Sequence, residues 1–350
     1  MKSLVLVLGA GASKEVRLPI GRELKSEIGR LLDIRFEHGI RQRSGDFQIT
    51  EALHLVAAKE REQTGKINPF LHMCRRIRDA MPQAMSIDNF IDCHSEEPKI
   101  AVCGKLAIAR AILAAEGTST LTIVRGNIYN KLDFAKSAET WFNSFFQLLT
   151  ENCRAEDLPA RLRSVGVVTF NYDRCFEHYL FNAMQNYYGF SAEKAAEVLT
   201  NLEIHHPYGM VGSLPWMRRP ASIEFGAEIH VSELLTVAQL LRTFTEGTDP
   251  AVSDIESIRA TVADAKRLVF LGFAFHRLNM DVLFGNSRLA NQMSTQGVFG
   301  SAFGISPSDC TVIADEISSH TKLSIGLIQL RDDLTCATLV QEYWRRLSLV

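Results

Sequence analysis

Three short segments hold the side chains of this chain that are best suited to do chemistry on a bound ligand. They are GAGAS at residues 9–13, TFNYD at residues 169–173, and two neighbouring histidines, His205 and His206. Paired glycines let a backbone turn tightly and approach a phosphate, whose charge the backbone N–H groups can meet. An imidazole titrates near physiological pH, which suits a general base. The residue types therefore favour a nucleotide site that includes a base.

Each segment also has a structural interpretation that involves no ligand. Glycine pairs are common punctuation between a strand and a helix. Asn171 and Asp173 are of the types that cap helix N-termini. Adjacent strand residues point to opposite faces, so we expect at most one of His205 and His206 to reach a shared site.

Apolar runs before these segments predict the strands that must position them. Residues 3–8, residues 165–170 and the part of residues 265–275 that ends at Gly272 are continuous enough to be strands covered on both faces. Helical patterns separate them, which predicts an α/β fold with a doubly wound, mostly parallel sheet. Ligands of such sheets bind beyond the carboxyl ends of the strands. We therefore expect the GAGAS, NYD and GFAF loops to meet at one crevice.

The first loop departs from the dinucleotide-binding fingerprint. Lys14 stands where that fingerprint has its third glycine, and the helix is expected only after Leu18-Pro19. The chain from Gly9 to Gly21 is thus predicted to be a loop, long enough to fold over a ligand.

The rest of the pattern predicts one domain, 1–350, with a Rossmann-like core from 1–30 and 160–350. Residues 50–155 are predicted to be a helical insertion, since residues 50–120 lack strong strand signals. Within 138–152 a helical stripe is expected to lie in the core. Its members are Trp141, Phe145, Leu148 and Leu149.

The composition is that of an ordinary globular protein. Of the 350 residues, 46% are hydrophobic and 22% are charged, and the formal net charge is -2. Because there is no overall positive charge, we predict no direct nucleic-acid binding. No apolar run approaches the roughly 20 residues of a membrane helix, and no signal peptide is evident. We therefore predict a cytoplasmic protein without membrane contact.

The cysteines predict no metal centre. There are seven, scattered along the chain, and none forms a C-x-x-C pair. Free thiols are expected, and no zinc site is signalled.

The order of the motifs resembles the sirtuin superfamily, and more closely its bacterial sirtuin-like NAD-hydrolysing branch. GAGAS with a following Leu-Pro, TFNYD, a His-x-x-Gly loop and a late strand ending in GFAF occur in this order. SIDNF at residues 86–90 and GFAFHRLNMD at residues 272–281 are also similar to that branch. The resemblance covers residue 4 to about residue 330. Its motifs are short, but their order and spacing are fairly specific.

This resemblance implies roles for individual residues. Asn171 matches the asparagine that holds the nicotinamide ribose, and His206 is implied to match the proton-accepting histidine. Residues 14–22 would close over the nicotinamide end of NAD. The residues implied to bind NAD are Gly9, Ala10, Gly11, Ala12, Ser13, Pro19, Asp173, Gly272 and Phe273.

Two features differ from the protein-deacylating sirtuins. Those enzymes carry a four-cysteine zinc module, which the cysteines here cannot supply. They also have histidine directly before glycine in the catalytic loop, whereas this chain has Tyr208-Gly209. An insertion in the loop, action of His206 from a shifted position, and lost activity are three interpretations of this difference.

The function implied by the resemblance is that of an NAD glycohydrolase. It would cleave NAD to nicotinamide and ADP-ribose and act as an effector of bacterial antiphage defence by depleting NAD. The resemblance also implies a homo-oligomer and a partner such as a HerA-type ring ATPase or an Argonaute-type protein. The alternatives are a catalytically silent module that binds NAD or ADP-ribose and, less favoured, an NAD-dependent protein deacylase.

Overall fold

A computed structural model of the protein describes residues 1–59, 66–124, 126, 130–244, 246, 254–285 and 293–350. The chain divides into two compact units. The first consists of Met1–Arg17, Thr120–Pro207 and Gly247–Val350, and the second of Leu18–Ser119 and Tyr208–Glu246.

The described chain contains eight strands and sixteen α-helices. The strands are β1 (Leu4–Leu8), β2 (Arg35–Glu37), β3 (Arg41–Ser44), β4 (Val165–Thr169), β5 (Glu203–His205), β6 (Arg267–Leu271), β7 (Gly297–Ser301) and β8 (Ile328–Arg331). The helices are α1 (Ala10–Lys14), α2 (Gly21–Leu31), α3 (Phe47–Lys59), α4 (Asn68–Ala80), α5 (Ile87–Asp92), α6 (Pro98–Thr118), α7 (Trp141–Thr150), α8 (Leu158–Arg163), α9 (Cys175–Tyr188), α10 (Ala192–Leu199), α11 (Val231–Leu240), α12 (Ile255–Ala263), α13 (Arg277–Phe284), α14 (Pro307–Thr321), α15 (Cys336–Glu342) and α16 (Trp344–Leu347).

The first unit is built on a six-stranded sheet in the order β5-β4-β1-β6-β7-β8. Every neighbouring pair of these strands is parallel. Numbered within this sheet alone, the order is 3-2-1-4-5-6, which is the order of the doubly wound dinucleotide-binding folds. The predicted α/β fold with a doubly wound parallel sheet is confirmed.

The register of the central strands brings their carboxyl ends level. Leu8 pairs with Thr169 on one side and with Leu271 on the other. All five residues of β1 and of β4 are buried, as expected for strands whose two faces are both covered. The loops that follow Leu8, Thr169 and Leu271 therefore begin side by side at one edge of the sheet.

The predicted uninterrupted loop from Gly9 to Gly21 is wrong. Residues 10–14 form the short helix α1 directly after β1, and α2 begins at Gly21. Between them Arg17 adopts a φ of 72°, and Pro19 disfavours helical geometry in the residue before it. These two features end one helix and delay the next.

Helix α7 supplies a large part of the core of the first unit. Trp141, Phe145, Leu148 and Leu149 are all buried, which confirms the predicted stripe. Trp141 stacks on Phe176 of α9 with ring centroids 5.8 Å apart. Because of this packing α7 belongs to the unit that contains the sheet, whereas the predicted helical insertion extends to residue 155.

The second unit is mainly helical. Its long helix α6 packs against α2, α4 and α11, and β2 and β3 form a separate antiparallel pair. Across both units, no helix within the described ranges is long and apolar enough to cross a membrane.

Candidate functional site

Two loops at the carboxyl edge of the sheet are joined through their backbones. The N–H of Gly9 donates to the carbonyl of Leu271 at 3.0 Å, and the N–H of Gly11 donates to the carbonyl of Gly272 at 2.9 Å. Gly272 has a φ of 57°, which favours glycine. Its own N–H donates to Ser301 Oγ at 2.9 Å. The GAGAS segment, which includes most of α1, and the loop after β6 thus touch directly.

This contact explains why glycine is required at positions 9 and 11, which the sequence alone did not reveal. A Cβ atom on Gly9 would lie 2.5 Å from the carbonyl oxygen of Gly272, and one on Gly11 would lie 2.7 Å from its Cα. Both distances are shorter than any side-chain carbon tolerates. The sequence predicted these glycines for close approach to a phosphate; the structure requires them for close approach of two loops.

Asn171 connects the TFNYD loop to the same place. Its Nδ2 donates to the carbonyl of Gly9 at 3.0 Å and to Ser13 Oγ at 3.1 Å. Its backbone N–H donates to Thr169 Oγ1 at 3.2 Å, and the residue is only 8% exposed. Among the described residues no donor reaches its Oδ1. The amide is therefore held rigidly, with an acceptor left for another molecule.

Ser13 and Asp173 complete a buried hydrogen-bond chain with Asn171. Ser13 Oγ donates to Asp173 Oδ1 at 3.0 Å, and the same oxygen accepts the N–H of Cys175 at 3.1 Å. Asp173 thus accepts the N–H of the first residue of α9 from one position before the N-cap, which is Arg174. The GAGAS, NYD and GFAF loops meet as the parallel sheet led us to expect.

His205 belongs to a polar network that stabilises the fold. Its Nε2 lies 3.0 Å from Glu203 Oε1 and 3.2 Å from Thr261 Oγ1, and its Nδ1 lies 3.3 Å from Asp254 Oδ2. Burial raises the pKa of Glu203, but Lys2 at 2.8 Å and Thr261 outweigh it and lower that pKa to about 2. Both imidazole nitrogens of His205 are therefore satisfied by the protein.

His206 takes a different partner, as neighbouring residues at the end of a strand should. Its Nε2 lies 2.6 Å from Glu177 Oε1. The side chains of His206 and Glu177 are 7% and 3% exposed. The other nitrogen, Nδ1, is buried, and no hydrogen-bond partner reaches it in the part of the chain that the structure describes.

Sequence reasoning missed Glu177. It lies in the first turn of α9, four residues after Asp173, on the helix that leaves the NYD loop. An acidic residue in the first turn of a helix is normally explained by the helix dipole. The available signal was its place just beyond a candidate site loop.

The remaining predicted NAD-binding residues have mixed surroundings. Ala10 is exposed on α1, and the carbonyl of buried Ala12 accepts the indole N–H of Trp141 at 2.7 Å. Pro19 precedes α2 in the second unit. Phe273 is only 2% exposed and its ring packs on those of Phe170, Phe270 and Phe275. Its side chain thus belongs to the core.

Glu15, also missed from the sequence, secures the chain just after α1. Its carboxylate accepts the N–H of Trp141 at 2.8 Å and the N–H of Ala337 at 2.9 Å. It thereby covers the N-termini of both α7 and α15. Burial raises the pKa of Glu15, and the two backbone hydrogen bonds oppose that rise.

In the second unit, Tyr208 is a buried packing residue. Its carbonyl accepts the N–H of Arg242 at 2.9 Å, and Gly209 after it has a φ of 75°. Burial, with a smaller contribution from Asp88 and Asp92, raises the pKa of the phenol. Tyr208-Gly209 therefore has a role in the packing of this unit.

The second unit also has a pocket of about 360 Å³ between α2 and the end of α4. Three of its lining side chains, Arg22, Lys25 and Arg78, are basic. Arg78 pairs with Asp33 at 2.5 Å and Asp79 at 2.8 Å, and Lys25 donates to a backbone carbonyl at 2.5 Å. Two of these three cations are thus already used by the protein.

The polar side chains near the carboxyl edge carry amide, hydroxyl, carboxylate and imidazole groups, namely those of Asn171, Ser13, Asp173 and His206. All seven cysteines are free thiols. Within the described residues no group of three or more histidine, cysteine, aspartate or glutamate side chains is placed to hold a metal ion.

A scan against models of protein families finds no match to this chain, and a search of curated proteins finds no match either.

Proposed function

We propose that this protein is a sirtuin-like NAD glycohydrolase that cleaves NAD to nicotinamide and ADP-ribose. The observation that carries the proposal is the hydrogen bonding of Asn171 to Gly9 and Ser13 at the carboxyl edge of the sheet. In sheets of this order, ligands bind beyond that edge where the strand order reverses. Here that point lies between β1 and β6, whose following loops pack together.

The proposed reaction needs a base more than an acid. The oxygen of water bonds to the ribose carbon, the bond from that carbon to nicotinamide breaks, and its electron pair goes to the ring nitrogen. Nicotinamide leaves as a neutral molecule because its ring is positively charged while attached. Water gives up one proton in addition, and a positioned histidine is a common acceptor for it.

Asn171 and His206 can supply the two required functions. The Oδ1 of Asn171 would accept a hydrogen bond from a ribose hydroxyl, while Gly9 and Ser13 hold the amide in place. The imidazole of His206 would accept the proton. The two residues follow β4 and β5, which are parallel neighbours, so both begin at the same edge of the sheet.

The backbone hydrogen bonds of the GAGAS segment limit how it could bind the pyrophosphate of NAD. The N–H groups of Gly9, Gly11 and Ala12 all donate to backbone carbonyls of the protein. Phosphate oxygens would therefore be met by other donors, or by this loop after a rearrangement. A loss of protection from hydrogen exchange in residues 9–13 on adding ADP-ribose would identify the rearrangement.

Further parts of the proposal rest on the family resemblance alone. They are a cytoplasmic role in antiphage defence by NAD depletion, assembly as a homo-oligomer, and activation by a HerA-type ring ATPase or an Argonaute-type partner. No zinc, nucleic acid or membrane has a part in this proposal.

The test is the release of nicotinamide from NAD by the purified chain, with and without each candidate partner. We expect release by the wild-type protein, a roughly 10²–10⁴-fold slower rate for His206→Asn, and near wild-type activity for the matched control His205→Gln. Calorimetric binding of NAD without release in any mixture would indicate a silent binding module. Formation of O-acetyl-ADP-ribose from an acetyl-lysine peptide would indicate a deacylase.

A further inference from the structure

We infer that Glu177 is the positioning residue of His206, which it holds with Nε2 protonated so that Nδ1 is the nitrogen that accepts a proton. That the proton comes from water during NAD cleavage rests on the proposed function. The arrangement of the two side chains stands on its own geometry and has a test of its own.

The contact between these side chains is short and shielded from water. Glu177 Oε1 and His206 Nε2 are 2.6 Å apart, and the two side chains are 3% and 7% exposed. Hydrogen bonds to a charged group are shorter and stronger than those between neutral groups. A buried carboxylate at this distance fixes both the position and the rotation of the imidazole ring.

The second nitrogen of the His206 ring, Nδ1, has no hydrogen-bond partner among the described residues. His206 Nδ1 is buried and makes no hydrogen bond with any residue that the structure describes. Buried polar atoms nearly always have a partner, so such an atom requires an explanation. A ligand hydroxyl or a reacting water that enters the site would provide one.

The neighbouring histidine shows what a purely structural histidine looks like in this chain. Both nitrogens of His205 have protein partners, namely Glu203 and Thr261 for Nε2 and Asp254 for Nδ1. His206 has a carboxylate on one nitrogen only. Hydrogen bonds thus fix both ring nitrogens of His205, whereas in His206 they fix Nε2 and leave Nδ1 able to accept a proton.

The carboxylate determines which nitrogen can act as a base. An ionised carboxylate only accepts hydrogen bonds, so the nitrogen beside it must carry the proton. In a neutral imidazole the other nitrogen then has a free lone pair. A carboxylate that fixes the tautomer and orientation of a histidine in this way is also the orienting member of hydrolase triads.

Nitrogen NMR of ¹⁵N-histidine-labelled protein shows which nitrogen of His206 carries the proton, and it needs no substrate. The His206 signals are assigned by their loss in His206→Asn. In the neutral form of the wild-type ring we expect the proton on Nε2 and none on Nδ1. A ring protonated at Nδ1 would overturn the inference, whether or not the protein cleaves NAD.

The Glu177→Gln variant tests whether this carboxylate affects the rate of NAD cleavage. Glu203→Gln is the matched control, because it makes the same change in the carboxylate that contacts His205. We expect kcat for NAD cleavage to fall roughly 10²–10⁴-fold in Glu177→Gln with KM nearly unchanged, and the His206 signals to show a mixture of tautomers. Glu203→Gln should leave both unchanged. Unaltered kcat and tautomer in Glu177→Gln would overturn the inference. If the wild-type protein releases no nicotinamide, the proposed function fails while the NMR result still decides the role of Glu177.

Discussion

The N–H of Gly11 donates to the carbonyl of Gly272 at 2.9 Å, so the backbones of helix α1 and of the loop after β6 touch at the carboxyl edge of the sheet with no side chain between them. A Cβ on Gly272 would lie 2.0 Å from the backbone nitrogen of Ala12, and one on Gly11 would lie 2.7 Å from the Cα of Gly272. The position of the GAGAS loop is therefore set by a contact that only glycine permits.

The Gly11→Ala substitution should destabilise the protein. The added methyl group overlaps the backbone of Gly272, and overpacking of this kind costs about 1–3 kcal/mol. Urea unfolding measures the change. Gly21→Ala is the control because a Cβ there meets nothing within 4 Å. Equal unfolding midpoints for the two variants would contradict the close contact.

The Asn171→Ala substitution should reduce both stability and NAD cleavage. It removes the donors to Gly9 and Ser13, and a buried hydrogen-bond partner left unsatisfied costs about 1–3 kcal/mol. Thermal unfolding and nicotinamide release are measured on the same sample. Asn186→Ala changes an exposed residue of α9 and should alter neither. A variant as stable as the wild type would show that the amide is not anchored.

The Glu15→Gln substitution should lower the free energy of unfolding by about 1–2 kcal/mol. A neutral amide loses the charge that faces the N-termini of α7 and α15, and it has one acceptor oxygen where the carboxylate uses two. Glu156→Gln, at a side chain that is 72% exposed, serves as the control in the same urea titration. Indistinguishable unfolding curves for the two variants would be inconsistent with the double cap.

The protein should lose stability as the pH falls from about 6.5 to 4, because His178 is buried. Burial lowers the pKa of this imidazole to about 4, opposed by its hydrogen bond to the carbonyl of Leu121. The unfolded chain therefore binds more protons in this range, since a free histidine has a pKa of about 6.5. The contribution is fully present above pH 6.5 and is lost as the pH falls through 4.

The size of this effect should be at most about 3 kcal/mol. The His178→Gln variant keeps a donor for Leu121 but does not titrate, so its free energy of unfolding should depend less on pH between 6.5 and 4. His54→Gln changes an exposed imidazole and should keep the wild-type slope. A His178→Gln slope equal to that of the wild type would contradict the prediction.

The amino-acid sequence by itself determined the fold class and the meeting of the site loops. Runs such as LVLVL at residues 4–8 are typical of strands buried on both faces, and their alternation with helical patterns favours a parallel sheet flanked by helices. Carboxyl ends of parallel strands share one edge, so the loops after residues 8, 169 and 271 had to lie together. Strand alternation likewise separated His205 from His206.

Only the tertiary structure decided which side chains hold the site. Glu177 lies 29 positions from His206, and Glu15 lies 126 and 322 positions from the two helix ends it caps. Local periodicity carries no information about such partners, because it records which face of an element is apolar and not what that face meets. The same limit hid the reason for Gly9 and Gly11, since the backbone that excludes their Cβ atoms belongs to the loop after β6, more than 250 residues away along the chain.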